Sequence, residues 1–322
     1  MAAIPAAPQL PSLFPTWGVT LIGATFSTIL YGVVCLQTFL YYRQWQKDNW
    51  FVKLLVGVVF FLDTFNQVQV TFMVYHYFVL NFANPLALHQ NHWTIGTEIL
   101  SNAIIGFLVE GFLVFRVWRL SNSIVLSGIG ATLTLAHLGT NAAPAIIGYK
   151  YDDLLQMLAA IKPVATGGIA LGAVEDTTLA LTLCYCLYHE RTGFKRTDSM
   201  LLRLISMTIA TGLVTSLVII AQLISITAAP QTLWILAWNL QLPKLYTNSL
   251  LATLNARGAI RNASAPQNHL NSFNTATALD TFDTSGTHTR NANGSRTHVN
   301  ITKSETSHAD DYSTVVKVAT VV

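Results

Sequence analysis

No Asp, Glu, Lys or Arg occurs between Met1 and Tyr42. A helix needs about 20 mostly apolar residues to cross the hydrocarbon core of a bilayer, and residues 17–40 supply them. The stretch is too long for the apolar region of a signal peptide and no basic segment precedes it, so it reads as a retained helix. Six further stretches pass the same test: 54–80, 93–117, 124–148, 163–187, 204–228 and 233–254. The expected fold is therefore all-α. It is a polytopic bundle of seven transmembrane helices at residues 17–258, behind a short extracellular N-terminus at 1–16. Composition excludes the alternatives. Charged residues make up 10% of the 322 residues and hydrophobic ones 52%, whereas soluble domains carry about 25% charged residues. A net charge of +3, spread thinly, cannot track a nucleic-acid backbone. The three cysteines, Cys35, Cys184 and Cys186, lie within apolar stretches and make no disulfide scaffold.

Loop charge sets the expected orientation, because Lys and Arg accumulate in cytoplasmic loops. Alternate connectors carry Arg43, Lys47, Lys53, Arg116, Arg119, Arg191, Lys195, Arg196 and Arg203, and Arg257 and Arg261 follow the last span. The opposite connectors carry only Lys150 and Lys162, a ratio of eleven to two. The N-terminus should face outside and the C-terminus the cytosol. Arg191, Lys195, Arg196 and Arg203 form a basic inner loop, where each cation near an anionic leaflet contributes about 1 kcal/mol. That loop serves for anchoring and orientation or for binding a cytosolic signalling partner. Beyond residue 258 apolar periodicity disappears and Ser, Thr, Asn and His dominate. Residues 259–322 cannot bury enough apolar surface to offset chain entropy and read as a disordered cytoplasmic tail.

Ionisable residues inside apolar spans are costly and face protein or water. Asp63, His137, Glu175, Asp176 and Lys244 fall near mid-span at about 1.5 Å per residue. His76, Glu98 and Glu110 lie at other depths. Two readings apply to the mid-span group. It is a ligand, ion or proton site, or it is a set of satisfied ion pairs that fixes helix packing. Lys244 should pair with at least one of the carboxylates Asp63, Glu175 and Asp176, with Asp176 favoured and Asp63 next. Gly168 and Gly172 form a G-x-x-x-G pair that lets a neighbouring helix approach closely, and Asp176 extends the same stripe by four residues. Lys244 follows Pro243, and the preceding Asn239–Leu242 lacks the aspartate that accompanies a retinal-binding lysine. No nucleophile elbow, H-E-x-x-H or phosphate loop occurs. Neither an enzyme nor a cofactor is expected, and no spacing points to a metal.

Longer segments carry a resemblance. YTNSLLATLNAR (residues 246–257) and HERTGFKRTDSML (189–201) resemble uncharacterised seven-span membrane proteins of mushroom-forming fungi. The C-terminal three-helix region of those proteins, here residues 172–257, is known only as a domain of unknown function. Tyr31-Gly32, Gln37, Tyr41-Tyr42, Lys53 and Leu62-Asp63 are similar to the first two helices of that family, and Asn81-Phe82 with Asn84-Pro85 to its first outer loop. Phe115 to Ser121 resembles the end of its third helix, although Glu110 stands where a glutamine is expected. The resemblance implies a fold and a residence in the plasma membrane or another secretory-pathway membrane. It implies no activity.

Three functions fit these features: a receptor-like sensor, a transporter or proton-coupled carrier using the mid-span charges, and a structural or partner-binding membrane protein. The lipid bilayer is the one partner that all three share. The orientation itself can be checked at the sequons Asn293-Gly-Ser295 and Asn300-Ile-Thr302. With a cytosolic tail both stay unmodified in protein from native membranes. Glycan mapping that finds either one occupied would reverse the topology.

Overall fold

The computed structural model describes the backbone of residues 14–44, 48–82, 84, 86–189, 195–230 and 232–263. These residues form α1 (Val19–Gln44), α2 (Trp50–Tyr75), α3 (Trp93–Ser121), α4 (Ile124–Gly148), α5 (Leu154–His189), α6 (Lys195–Ala228), α7 (Trp234–Asn239) and α8 (Leu242–Ala263). A wide turn at Phe14–Gly18 leads into α1, and another at His76–Leu80 prolongs α2. Among the described residues five segments are long and apolar enough to cross a membrane, those containing α1, α2, α3, α5 and α6. The fold is that of a multi-pass membrane protein. The two remaining expected spans differ for physical reasons. His137, Thr140 and Asn141 dilute the apolar content of α4. The last span is not one helix but two, α7 and α8. The expected N-terminal segment up to residue 13 and the tail from 264 lie outside the described residues. So do Arg191 and the side chains of Lys195, Arg196 and Arg203; the backbone of those last three belongs to α6, which starts at Lys195 and not at the expected 204, so they are not on a loop.

The helices close into a ring in which each packs on the next, α1 to α6, with α7 and α8 returning to α1. α3 also touches α5 and α8, and α8 packs on α1, α2, α3, α6 and α7, which makes α8 the most enclosed helix. Polarity is inverted relative to a water-soluble bundle. Phe26, Ile29, Phe39, Phe61, Leu181 and Leu217 point outward, whereas Ser27, Asp63, Asn66, Glu98, Glu110 and Gln222 are buried. Apolar surroundings explain this arrangement, because lipid solvates the outward side chains and polar groups must find partners within the bundle.

Local chemistry places the helix ends. Asn49 accepts a hydrogen bond from the Phe51 amide at 3.3 Å and starts α2. Asn122 takes the left-handed conformation (φ 49°) that ends α3, and Ser123 then caps α4. This two-residue reversal forces α3 and α4 to run antiparallel as neighbours. Asp153 caps α5 by accepting from the Gln156 amide at 2.8 Å. α5 therefore starts at Leu154, ahead of the expected start at 163, and Pro163 lies within it. Lys162, expected in a connector, is on this helix.

One end of the bundle is latched. Trp17 stacks on Tyr77 with ring centroids 3.6 Å apart and donates from Nε1 to the Leu88 carbonyl at 2.9 Å. Tyr77 Oη donates to the Gln90 carbonyl. The Asn91 side chain donates to the carbonyls of Gly148 and Tyr151, both at 2.9 Å, and its amide to that of Asp152. The α2–α3 connector is thus tied to both α1 and the α4–α5 connector. His92 stacks on His76 at 3.9 Å; burial, and then the neighbouring His76, hold the His92 imidazole below its usual pKa.

The break between α7 and α8 follows from Pro243, which lacks an amide hydrogen and whose ring crowds the carbonyl four residues back. The carbonyls left around the break find substitutes. Gln241 Nε2 donates to the carbonyls of Ala237 (3.1 Å) and Gly23 (2.7 Å), and Ser27 Oγ donates to that of Leu240 (3.0 Å). This requires α1 to lie against the α7 backbone. Gly23 permits it, since a Cβ there would stand 2.8 Å from Ala237 Cα and 2.9 Å from its carbonyl oxygen. Backbone atoms cannot rotate away as a side chain could. Gly23→Ala should therefore cost about 1–3 kcal/mol through forced separation of α1 from α7, read as a lower melting temperature of the purified protein in detergent. Gly32→Ala on the same helix, where nothing lies within 4 Å, should leave it unchanged.

Candidate functional site

Seven ionisable residues within the helices, Asp63, Glu98, Glu110, His137, Glu175, Asp176 and Lys244, form two clusters. The first joins α2, α3, α7 and α8. Lys244 Nζ donates to Asp63 Oδ1 at 2.6 Å, to Asn66 Oδ1 at 2.8 Å and to the Asp63 carbonyl at 3.2 Å. Both charged side chains are fully buried. The Tyr31 ring centroid lies 5.7 Å from the ammonium. Asn66 also donates to Ser101 Oγ at 2.9 Å, and Ser101 to the Glu98 carbonyl. Glu98 Oε2 accepts from Asn239 Nδ2 at 3.0 Å, and Asn239 Oδ1 accepts from Asn102 at 3.1 Å. The chain of polar contacts thus runs from Lys244 to the last turn of α7.

The second cluster joins α3, α4, α5 and α8. His137 Nδ1 lies 3.1 and 3.3 Å from the two oxygens of Glu110 and 3.0 Å from Glu175 Oε2. Thr134 donates a short hydrogen bond to Glu175 Oε1. Asn141 Nδ2 lies 2.9 Å from His137 Nε2. Asp176, half-buried, accepts from Tyr246 Oη at 3.3 Å. The expected glycine pair makes this approach. A Cβ on Gly172 would fall 2.7 Å from His137 Nε2, and one on Gly168 would fall 3.3 Å from the Thr140 carbonyl oxygen. Glu175, three residues on from Gly172, continues the face against α4. Asp176 turns to α8 instead, so the stripe extends to Glu175 and not to Asp176 as expected.

Lys244 pairs with Asp63, not with Asp176 or Glu175. Two residues along a helix rotate a side chain by about 200°, so Lys244 and Tyr246 leave α8 on opposite sides. Lys244 meets α2 and Tyr246 meets α5. The single expected mid-span group is therefore two groups back to back across α8. Each takes in one residue expected at another depth, Glu98 in the first and Glu110 in the second. His76 belongs to neither and packs on His92 and Asn81 at the latched end. The spacing of residues along the chain offers no metal site, yet α3, α4 and α5 bring Glu110, His137 and Glu175 together with ligand atoms all within 4.8 Å of one another.

Between the clusters and the latched end lies a cavity of about 580 Å³. Its walls are the first turns of α3, the last of α4, the first half of α5, the last turns of α6, and α7. Most of the lining is aliphatic. His137, Asn141, Gln222, Asn239, Tyr246 and Lys162 supply polar groups, together with the hydroxyls of Ser225 and Thr232. The two clusters thus each send one end into the cavity, Asn239 from the first and His137 with Tyr246 from the second. Lys244 does not line it. Charge and depth along the spans do not single out Asn66, Ser101, Asn141, Gln222, Asn239 or Tyr246. For Asn66, Ser101 and Asn141 a signal is present in the chain, a polar residue three or four positions from an ionisable one (Asp63–Asn66, Glu98–Ser101 and His137–Asn141) on a shared helix face; Gln222, Asn239 and Tyr246 carry no such spacing.

Breaking a buried pair leaves an uncompensated charge, which costs about 3–5 kcal/mol. Lys244→Met should lower thermal stability on that scale by orphaning Asp63. Adding Asp63→Asn should recover some of the loss, whereas adding Asp176→Asn should not. Melting temperatures of the singles and doubles measure this directly, and strict additivity of Lys244→Met with Asp63→Asn would contradict the pair.

Residues 172–259 match DUF6534, a family of unknown function. The match spans the second half of α5 through α8 and so includes Glu175, Asp176, Lys244 and Tyr246, while Asp63, Glu98, Glu110 and His137 precede it. No curated protein and no solved structure matches the chain.

Proposed function

We propose that this is a receptor-like seven-span membrane protein of the fungal kind it resembles, and that it senses a small, mainly aliphatic molecule with one polar end. The cavity of about 580 Å³ carries this reading. Ligand sites typically occupy about 300–1,000 Å³ and combine apolar walls with a few convergent polar groups. Here the aliphatic portion of a ligand would lie against α5 and α6, and its polar end would meet His137, Asn141, Asn239 and Tyr246. With α4 and the α7–α8 pair as the two further spans, the eleven-to-two excess of Lys and Arg in and near one set of span ends supports an outside N-terminus. The cavity then opens towards the outer leaflet, and the basic loop around Arg191 and the tail face cytosolic partners. The plasma membrane or another secretory-pathway membrane is the setting.

One observation favours a second reading, a proton-coupled carrier. Broken helices beside buried charges are common at transporter sites, and α8 starts at Leu242, just ahead of Lys244 and after the break from α7. Both readings can be tested with the full chain, purified from its native membranes in mild detergent and examined by native mass spectrometry. About one small apolar molecule per chain is expected. It should be missing from Ala165→Phe, which fills the cavity at a residue on its wall, while the melting temperature stays at the wild-type value. A wild-type protein that carries no molecule and takes none up from a lipid extract would overturn the cavity reading. Release of the bound molecule across reconstituted vesicles in response to a pH gradient would decide for the carrier.

A further inference from the structure

We infer that Glu110, His137 and Glu175 bind a divalent first-row transition-metal ion. The inference stands apart from the cavity reading and can fail without it. Its starting point is a mismatch of donors and acceptors. Glu110 and Glu175 are buried, with side-chain exposures of 1% and 0%. Both face the same nitrogen, His137 Nδ1, which carries at most one hydrogen. That hydrogen serves Glu110, at 3.1 and 3.3 Å. Glu175 Oε2 lies 3.0 Å from the same nitrogen and is left without a hydrogen bond. Thr134 satisfies only the other oxygen, Oε1. The imidazole that faces this oxygen pairs with it by charge alone, and only when protonated; a buried carboxylate oxygen without a hydrogen bond is a place where a cation is stabilised.

Three features match a metal ion placed among these atoms. The donors are two carboxylates and one imidazole, a set suited to Zn²⁺, Mn²⁺ or Fe²⁺. An ion held at about 2.0–2.2 Å from each donor spaces adjacent donors about 3 Å apart, which is the separation seen around Nδ1. The outer contacts are also in place. Ligation through Nδ1 leaves the hydrogen on Nε2, where Asn141 lies 2.9 Å away. With its amide turned over, Asn141 accepts that hydrogen through Oδ1, an assignment that the heavy-atom positions leave free. Gly172 keeps the space beside Nε2 clear, since any Cβ there would reach 2.7 Å from it. The donors come from three different helices, so a bound ion would tie α3, α4 and α5 together at mid-height and fix the ring that forms the inner end of the cavity.

The test uses the full-length protein in detergent, stripped with EDTA and then titrated separately with Zn²⁺ and Mn²⁺. Elemental analysis after desalting should find about one ion per chain, and the melting temperature should rise on loading. Electron spin echo spectra of the Mn²⁺ form should show coupling to a single imidazole nitrogen. Glu175→Gln and Glu110→Gln should each weaken binding by more than about tenfold, and Asn141→Ala should weaken it less. The spin-echo readout on the wild-type protein keeps the test decisive if the glutamine variants fail to fold. No retained ion, no imidazole coupling, or equal binding by wild type and Glu175→Gln would each overturn the assignment.

Discussion

Polar groups in this bundle have to be satisfied from inside, because its outer face is aliphatic and aromatic. That requirement explains the helix order, the close approaches and the break. α1 lies against α7 because Ser27 and the Gly23 carbonyl are needed there. α2 lies against α8 because Asp63 and Asn66 together surround the Lys244 ammonium. α4 lies against α5 because Gly168 and Gly172 let His137 reach Glu175. Aliphatic contacts fill the space between these points, as in the set of Val34, Val59, Ile105, Leu250 and Leu254. They do not specify rotation about each helix axis, since lipid and protein interior are similarly apolar. The polar contacts do.

α8 separates the two clusters, and α7 brings them to a common cavity. Asn239, in the last turn of α7, bonds to Glu98 and to Asn102 and also lines the cavity. Tyr246 bonds to Asp176 and lines it from the other side. Whatever occupies the space therefore meets groups whose other contacts extend into both polar clusters. The latched end, held by Trp17, Tyr77 and Asn91, lies over the same region and ties down the two connectors nearest to it.

The apolar helices and most of their ends were legible in the sequence because both depend on local composition: runs of aliphatic residues, and Asn or Ser at the turns. The identity of the buried ionisable residues was legible for the same reason. Their partners were not. Depth along a span places Asp63, Glu175 and Asp176 at one level beside Lys244, but pairing depends on rotation, and rotation depends on which helices are neighbours. The rotation of about 200° between Lys244 and Tyr246 decides the matter only once α2 and α5 are known to flank α8 on different sides. The division of the last span was foreshadowed by Pro243 alone. Of the groups that make it tolerable, Gly23 and Ser27 are more than 200 residues away from Gln241 and Leu240 in the chain.

The break also changes the electrostatic setting of Lys244. Because α8 begins at Leu242, the lysine falls in the first turn of a helix, where the aligned peptide dipoles present a partial positive charge. A cation there is disfavoured twice, by burial and by the macrodipole. Asp63 supplies the charge that offsets the ammonium. Had the last span been continuous, the lysine would have sat mid-helix with no such field, and the carboxylate on α2 would have had only the ammonium's own charge to offset.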